Sequence, residues 1–293
     1  MKEEDAFHEL IRILKTRFGK LKSHNKKKQT IELKLNKSQG RKKKFRIGIA
    51  SDIEGATDNS ISAAQKMRKE GVESIIIVGD CYENHEIRPS PMYPGQTDKK
   101  KQMKEGLEPF LRLKVPTYVV PGNHENSKIY HDIIKELRKK FPLVKDMHKK
   151  RLIMKGFGVV FLGGYHISKM TDPEGFVLDE HDYEWVDKSV KEIKKKGLPV
   201  VLITHGPPLS PGMLDFLPFF GNVGDEVLSD IISSFDGDLM NLHGHIHEKS
   251  GERYMFGDNI SINISSITNF SNPRFSNSAV LDIEEKRIVY REI

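Results

Sequence analysis

The sequence predicts an α/β fold in which helices cover the β-sheets, and three observations predict it. From Phe45 onward, short runs rich in β-branched residues alternate with stretches of helical periodicity. Several runs are apolar on both faces, which is typical of strands with a packed layer on each side. The last third of the chain is mostly strands, and this favours a mixed or second sheet over a simple doubly wound one.

The predicted elements follow one another from residue 45 to the end. The strand candidates are FRIGIAS (45–51), SIIIVGD (74–80), TYVVPGN (117–123), RLIMK (151–155), GVVFLGG (158–164), PVVLITHG (199–206), LMNLHGH (239–245), NISINIS (259–265), SAVLDI (278–283) and RIVYREI (287–293). Helical periodicity predicts helices near 60–70, 102–113, 127–139, 181–196 and 224–234. Two long loops are predicted, a polar one at 81–101 and an unusually apolar one at 206–224, and loops of this length are typically functional or disordered.

The composition is that of a polar globular protein. Of the 293 residues, 37% are hydrophobic and 30% are charged, which is enough apolar material for a core. The single cysteine, Cys81, excludes a disulfide scaffold and a cysteine-rich zinc module, and it fits a reducing compartment. The N-terminus has no signal-peptide core, and no apolar run reaches the ~18 residues of a membrane span. We therefore expect a cytoplasmic protein that does not enter a membrane.

Positive charge is concentrated at the N-terminal end. Residues 1–45 carry 15 Lys or Arg and 5 Asp or Glu, a balance of +10, whereas the remaining residues carry 33 against 36, a balance of −3. We therefore divide the chain into residues 1–44 and 45–293. The first part has an amphipathic helix at 5–18 and a lysine-rich arm at 19–44 with a candidate short strand, TIELKL. The arm is interpreted either as a solvated linker or as an electrostatic arm for nucleic acid or another acidic partner.

Five predicted strands each end directly in side chains that can bind a metal. Those side chains are Asp52 and Glu54, then Asp80, then Asn123 and His124, then His205, and finally His245 and His247. In α/β folds, ligands bind beyond the carboxyl ends of strands, and carboxylates, imidazoles and a carboxamide together suit a divalent cation. They outnumber the ligands that one ion needs, so two ions are expected. Asp80 is the natural bridge because a carboxylate has two oxygens to share.

Asp52 and Glu54 are two carboxylates placed two residues apart, and they should repel each other unless cations neutralise them. On an extended backbone, residues i and i+2 point to the same face. We therefore expect both side chains to face the same metal.

The order of these motifs resembles the calcineurin-like metallophosphoesterase superfamily. The family pattern is D-x-H, G-D, G-N-H-[DE], H and G-H-x-H, and this chain has it from about residue 46 to 250. The resemblance implies a four-layer αββα sandwich of two mixed β-sheets and hydrolysis of phosphomonoesters or phosphodiesters. One position departs from the pattern, because Glu54 stands where the family usually has a histidine.

The resemblance also implies a role for each site residue. Asp52, Asp80 and His247, with Glu54, would hold the first metal, and Asn123, His205 and His245 the second, with Asp80 bridging. A hydroxide bridging the two metals would attack phosphorus. Asn123 and His124 would contact the substrate, and His124 would also assist the leaving group. The added carboxylate favours Mn²⁺ or Fe, with Mg²⁺, Ni²⁺ and Zn²⁺ as further candidates.

Five other residues, outside the motif positions, receive less specific interpretations. We expect His243 to lie in the core or to support a ligand, and Cys81 to pack at the edge of the site. His85 is taken as an exposed loop histidine, and His166 and His181 as structural or exposed.

Two alternatives to a phosphoesterase of small molecules stay open. The first is a nuclease of the same superfamily that holds the backbone of nucleic acid with the arm at 19–44; deleting residues 1–44 without effect on binding or cleavage would remove it. The second is a non-catalytic scaffold with a variant metal site, for which only Glu54 argues. The helix at 5–18 can either dock on the body or pair two chains.

Overall fold

A computed structural model of the chain describes residues 31–34, 45–84, 98–154, 156–210, 214–217, 220–267, 278–284 and 287–293. These ranges contain five α-helices: α1 (Thr57–Glu70), α2 (Lys99–Leu111), α3 (Ser127–Lys140), α4 (Glu180–Lys194) and α5 (Glu226–Ser234). The strands are β1 (Ile31–Lys34), β2 (Phe45–Ala50), β3 (Ser74–Val78), β4 (Thr117–Val120), β5 (Val144–Asp146), β6 (Lys150–Met154), β7 (Phe157–Leu162), β8 (Val200–Thr204), β9 (Phe216–Leu217), β10 (Gly221–Asn222), β11 (Leu239–His243), β12 (Arg253–Phe256), β13 (Asn259–Asn263), β14 (Ala279–Glu284) and β15 (Arg287–Glu292).

Two mixed sheets form the centre of the fold. A seven-stranded sheet has the order β1-β15-β14-β2-β3-β4-β5, with β2 to β5 parallel and the strands on the other side antiparallel. A six-stranded sheet has the order β12-β13-β11-β8-β7-β6, with β13, β11, β8 and β7 parallel. Short β9 and β10 form a separate hairpin.

Each sheet packs against another layer on both of its faces, because successive residues of a strand point to opposite faces. In β3, Ile76 and Val78 lie in the core between the two sheets, whereas Ile75 and Ile77 pack beneath helices α1, α2 and α3. In β8, the alternation places Val201 and Ile203 in the core between the sheets and Val200 and Leu202 beneath α4 and α5. The predicted four-layer αββα sandwich is confirmed.

The elements predicted from periodicity are present with shifted ends. Helix α2 begins at Lys99, where the Asp98 side chain accepts a hydrogen bond from the Lys101 N–H, three residues before the predicted start. Strands β5, β9, β10 and β12 were missed. The first three have two or three residues each, and β12, RYMF, lacks an apolar alternation.

Strand β1 lies inside the candidate strand TIELKL and pairs antiparallel with β15 at the edge of the seven-stranded sheet. The helix expected at 5–18 and the rest of the arm at 19–44 lie outside the described residues, so the division of the chain at residue 44 stays a prediction. Among the described residues, none of the helices combines the length and the apolar character that crossing a bilayer requires.

Candidate metal centre

The predicted site residues meet because five strands end at one edge of the sandwich. β2, β3 and β4 are parallel neighbours in one sheet, and β8 and β11 are parallel neighbours in the other. The loops that follow these strands join the two sheets. The His205 Nδ1 lies 3.0 Å from the Val78 carbonyl oxygen, and the Gly164 N–H donates to the Pro121 carbonyl at 2.9 Å.

Four of the candidate ligands have a left-handed backbone, in which non-glycine residues are uncommon. The φ angles are 52° at Asp52, 45° at Glu54, 48° at Asp80 and 73° at His245. Strained backbone of this kind clusters at functional sites. The expected extended backbone from Asp52 to Glu54 was therefore wrong: β2 ends at Ala50, and the N–H groups of Asp52 and Glu54 donate to Gly79 and Asp80 carbonyls instead.

Asp52 and Glu54 nevertheless face the same partner. The His247 Nε2 lies 3.5 Å from the Asp52 Oδ1 and 3.5 Å from the Glu54 Oε1. Although burial acts to raise the pKa of Asp52, the His247 and His205 imidazoles lower it below its usual value. Burial raises the pKa of Glu54 to about 7, although His247 and His124 act in the opposite direction.

Asp80 lies at the centre of the cluster. Its Oδ2 is 3.2 Å from the His205 Nε2 and 3.9 Å from the His124 Nε2, and its Oδ1 accepts a hydrogen bond from the His124 N–H at 3.0 Å. Two groups of ligand atoms, each within 4.8 Å of one another, share Asp80: Asp80, His205 and His245 in one, and Glu54, Asp80 and His124 in the other. This is the geometry that a bridging carboxylate would have.

Asn123, His205 and His245 lie on the other side of Asp80. The Asn123 Oδ1 is 2.9 Å from the His205 Nε2, and its amide nitrogen donates to the Met170 carbonyl at 2.6 Å. The buried His245 Nε2 has no hydrogen-bond partner among the described residues. Burial lowers the pKa of His205, but the Asp80 carboxylate outweighs it and raises that pKa to about 10.

His124 lies between the Glu54 and Asp80 carboxylates and is 4% exposed. Its Nδ1 is 3.2 Å from the Tyr82 carbonyl oxygen and 3.9 Å from the Glu54 Oε1. Burial acts to lower the pKa of His124, but the Asp80 and Glu54 carboxylates outweigh it, so the pKa lies above its usual value.

The donor set fits divalent cations. Three buried carboxylates face imidazoles and one carboxamide, and the His245 Nε2 is a buried ring nitrogen without a partner in the described part of the chain. Oxygen and imidazole ligands together suit Mn²⁺, Fe or Zn²⁺. His205 would bind a cation as the neutral ring, because metal ligands must be deprotonated.

Gly122 and Gly244, two glycines of the motifs, are required because their backbone lies too close to a candidate ligand to leave room for a side chain. A Cβ at Gly244 would overlap the Ser51 hydroxyl and the Asp52 carboxylate, and a Cβ at Gly122 would overlap the Asp80 carboxylate. The Ser51 hydroxyl in turn donates to Asp52. Any larger residue at either glycine would displace a candidate ligand.

Glu125 and Glu83 are two buried carboxylates to which sequence reasoning gave no role. Glu125 accepts hydrogen bonds from the N–H groups of Asp80 at 3.0 Å, Cys81 at 2.6 Å and Gly122 at 2.5 Å. It therefore ties the loop after β3 to the loop after β4. Glu83 is 4% exposed and its charge raises the pKa of both Glu54 and His124. Position within GNHE was the only available signal for Glu125, and nothing in the sequence indicated Glu83.

Replacing Glu125 by glutamine is expected to destabilise the protein. The amide NH₂ would face a backbone N–H, and each buried donor left unsatisfied costs about 1–3 kcal/mol. Thermal unfolding with and without Mn²⁺ measures the loss. Glu105→Gln, an exposed glutamate on α2, is the matched control. An unchanged unfolding midpoint for Glu125→Gln would show that this carboxylate does not hold the two loops.

The remaining interpreted residues lie around the cluster. His243 is fully buried, with its Nδ1 3.1 Å from the Gly244 carbonyl oxygen, and Cys81 is fully buried beside Glu125. His166 is partly buried, 3.7 Å from the Asp225 carboxylate, and His181 is exposed on α4. His85 lies outside the described residues.

Comparison with known proteins agrees with this arrangement. The model of the calcineurin-like phosphoesterase family matches residues 45–249. One curated relative, the "Probable glycerophosphodiester phosphodiesterase GpdQ" of Arcobacter nitrofigilis, is 25% identical over 199 residues, which are 68% of this chain and 65% of the relative. The match thus spans just under two thirds of the length of that relative.

Solved structures share the fold at low sequence identity. A dimetal phosphatase from Danio rerio has a TM-score of 0.63 and 16% identity, covering 85% of this chain and 95% of its own. The protein TT1561 of Thermus thermophilus has a TM-score of 0.59 and 15% identity, covering 84% of this chain and 98% of its own.

Proposed function

This chain belongs to the calcineurin-like phosphoesterase family, and on that premise we propose that it hydrolyses phosphomonoesters or phosphodiesters at a dinuclear metal site. One observation carries the proposal: the Asp80 carboxylate lies within ligand distance of two sets of side chains, His205 and His245 in one and Glu54 and His124 in the other. A carboxylate shared in this way would let Asp80 hold both ions of a pair of divalent cations, since each of its two oxygens can bind one.

The residues on each side of Asp80 would hold one ion each. Asp52, Glu54 and His247 would hold the first, and Asn123, His205 and His245 the second. When bound, two divalent cations lower the pKa of water towards neutrality and offset the negative charge of the phosphate. Mn²⁺ or Fe is proposed, because the carboxylates of Asp52, Glu54 and Asp80 make this an oxygen-rich site.

His124 would supply the proton that the leaving group needs. The Tyr82 carbonyl can only accept a hydrogen bond, so the His124 Nδ1 carries a hydrogen towards it. The Asp80 and Glu54 carboxylates outweigh burial and raise the pKa of the ring, which favours a second proton on Nε2. That proton is available to a phosphate oxygen or to the departing alkoxide. Asn123, whose Oδ1 faces His205, would help to position the phosphate.

The test of this function is hydrolysis of p-nitrophenyl phosphate and bis(p-nitrophenyl) phosphate with Mn²⁺ and with a chelator. The name of the curated relative favours the diester as the better substrate. We expect Mn²⁺-dependent release of p-nitrophenol that the chelator abolishes. Absence of hydrolysis of both esters with Mn²⁺, Fe²⁺, Mg²⁺, Ni²⁺ and Zn²⁺ would favour the scaffold alternative.

Substitutions of Glu54 test whether this carboxylate, which stands where the family usually has a histidine, binds a metal. Glu54→His is expected to retain hydrolysis and to move the metal preference towards Zn²⁺, because a neutral ring replaces a carboxylate. Glu54→Ala should lower the affinity for one of the two metals by at least about 10-fold. Glu54→Gln is the matched control that removes the charge but keeps an oxygen. Bound metal and metal-dependent rates measure all three, and an unchanged metal profile in Glu54→Ala would exclude ligation by Glu54.

A further inference from the structure

A cavity of about 810 Å³ lies beside the edge strands of the two sheets, where the chain passes from β5 in one sheet to β6 in the other. One face of α3 and one face of α4 form its walls, and Met147 and Leu152 contribute apolar surface. None of the candidate metal ligands lines it. We call it the basic groove because seven Lys or Arg side chains line it against two carboxylates, Asp146 and Glu192.

Both carboxylates of the basic groove are already paired. Asp146 lies 3.4 Å from the Lys150 Nζ, and Glu192 lies 2.5 Å from an Arg151 guanidinium nitrogen. Lys149 pairs outside the groove with Asp182, at 2.7 Å. Three of the seven cations are therefore neutralised.

The other four cations have no carboxylate partner among the described residues. Lys135 and Arg138 come from α3, Lys145 from β5 and Lys188 from α4, and all four are exposed. Lys145 contacts only an aromatic ring, with its Nζ 5.9 Å from the centre of Tyr118. Four unneutralised charges from three separate elements converge on one concave surface.

The positive charge of the basic groove contrasts with the net negative charge of residues 46–293 as a whole. Residues 46–293 carry a net charge of −3, whereas the basic groove has a balance of +5. A run of lysines along one helix is usually a solvated face. Here, cations of two helices and a strand share one cavity, and like charges placed together destabilise the free protein unless an anion binds.

Trp185 adds an aromatic surface to the basic groove. It is the single tryptophan of the chain, it lies on α4 one turn before Lys188, and it is partly buried. A positively charged groove with an aromatic side chain on which a base can stack is the arrangement used for single-stranded nucleic acid.

We propose that the basic groove binds single-stranded nucleic acid, with backbone phosphates on Lys135, Arg138, Lys145 and Lys188 and a base stacked on Trp185. A duplex would not expose a base face to Trp185, and an acidic protein segment or inorganic polyphosphate would use the cations alone. This binding is independent of the proposed hydrolysis, since the groove and the metal cluster share no residue.

The test follows Trp185 fluorescence while an oligodeoxythymidylate of about 16 nucleotides is titrated into the full-length protein at low salt. Because Trp185 is the only tryptophan of the chain, the tryptophan fluorescence comes from the groove alone. We expect quenching that saturates. The combined variant Lys135→Glu, Arg138→Glu and Lys188→Glu should raise the oligonucleotide concentration at the midpoint of quenching by at least about 10-fold. It should also reduce the magnitude of the slope of log K, the logarithm of the binding constant, against log salt by about 2.

The matched control carries the same charge change on other helices, in Lys66→Glu, Lys69→Glu and Lys100→Glu, all exposed on α1 and α2. It should leave the quenching midpoint within about 3-fold of the wild type, since long-range repulsion is screened by salt. Equal thermal unfolding midpoints check that all three proteins are folded. The proposal is overturned if the oligonucleotide does not quench Trp185, if both variants weaken binding equally, or if inorganic polyphosphate quenches as strongly as the oligonucleotide.

Discussion

Replacing Asp80 by asparagine is expected to abolish hydrolysis and to leave at most one metal ion per chain. Asp80 belongs to both groups of ligand atoms, so its loss affects both ions at once. Bound metals contribute several kcal/mol of transition-state stabilisation, and each 1.4 kcal/mol is tenfold in rate, so kcat/KM should fall by about 10³ or more. Elemental analysis of the purified variant and its rate on a diester measure both effects.

Asp282→Asn is the control for Asp80→Asn. Asp282 is a buried carboxylate of β14 with ion pairs to Arg46 and Arg291, and it takes no part in the cluster. Its substitution should lower stability while metal content and kcat stay close to those of the wild type. A variant Asp80→Asn that keeps two metals, or more than about a tenth of the activity, would show that Asp80 does not bridge.

Replacing His124 by alanine is expected to lower kcat by about 10²–10⁴ without changing the number of bound metals. The reason is the proposed role of the ring as proton donor, which the Asp80 and Glu54 carboxylates favour because they outweigh burial and raise the pKa of His124. An alkyl leaving group needs this proton much more than p-nitrophenolate does. The loss should therefore be larger for an alkyl phosphodiester than for bis(p-nitrophenyl) phosphate.

The series of leaving groups is an internal control, because loss of metal or of folding would lower every rate by the same factor. If His124→Ala lowers kcat equally for alkyl and p-nitrophenyl esters, His124 binds the phosphate and does not protonate the leaving group. Full activity on both esters would remove it from the site.

The places of the metal-binding candidates in the fold could be predicted because the end of a buried strand can be recognised from the sequence. An apolar run followed at once by Asp52, Asp80 or His205 fixes both the element and the edge at which the side chain lies. The backbone that aims these side chains could not be predicted. Aspartate adopts a left-handed φ more often than most residues, but that conformation is still uncommon, so the residue type alone did not indicate it at Asp52 and Asp80.

Contacts between distant segments also escaped prediction. Glu125 holds the backbone of Asp80 and Gly122, and this depends on how two loops meet rather than on any periodicity. The basic groove is similar, because Arg138, Lys145 and Lys188 belong to three elements that look like ordinary charged surface when each is taken alone. Charge counts along the chain placed the basicity at the N-terminal end and missed this local concentration.

The most direct measurement of the dinuclear site is a metal titration of the stripped enzyme. Protein freed of metal by chelation receives Mn²⁺ in steps, and the rate of bis(p-nitrophenyl) phosphate hydrolysis is recorded after each addition. We expect no activity without metal and a rise that reaches its plateau at two equivalents per chain. A plateau at one equivalent, or full activity in the stripped protein, would contradict a two-metal site built around Asp80.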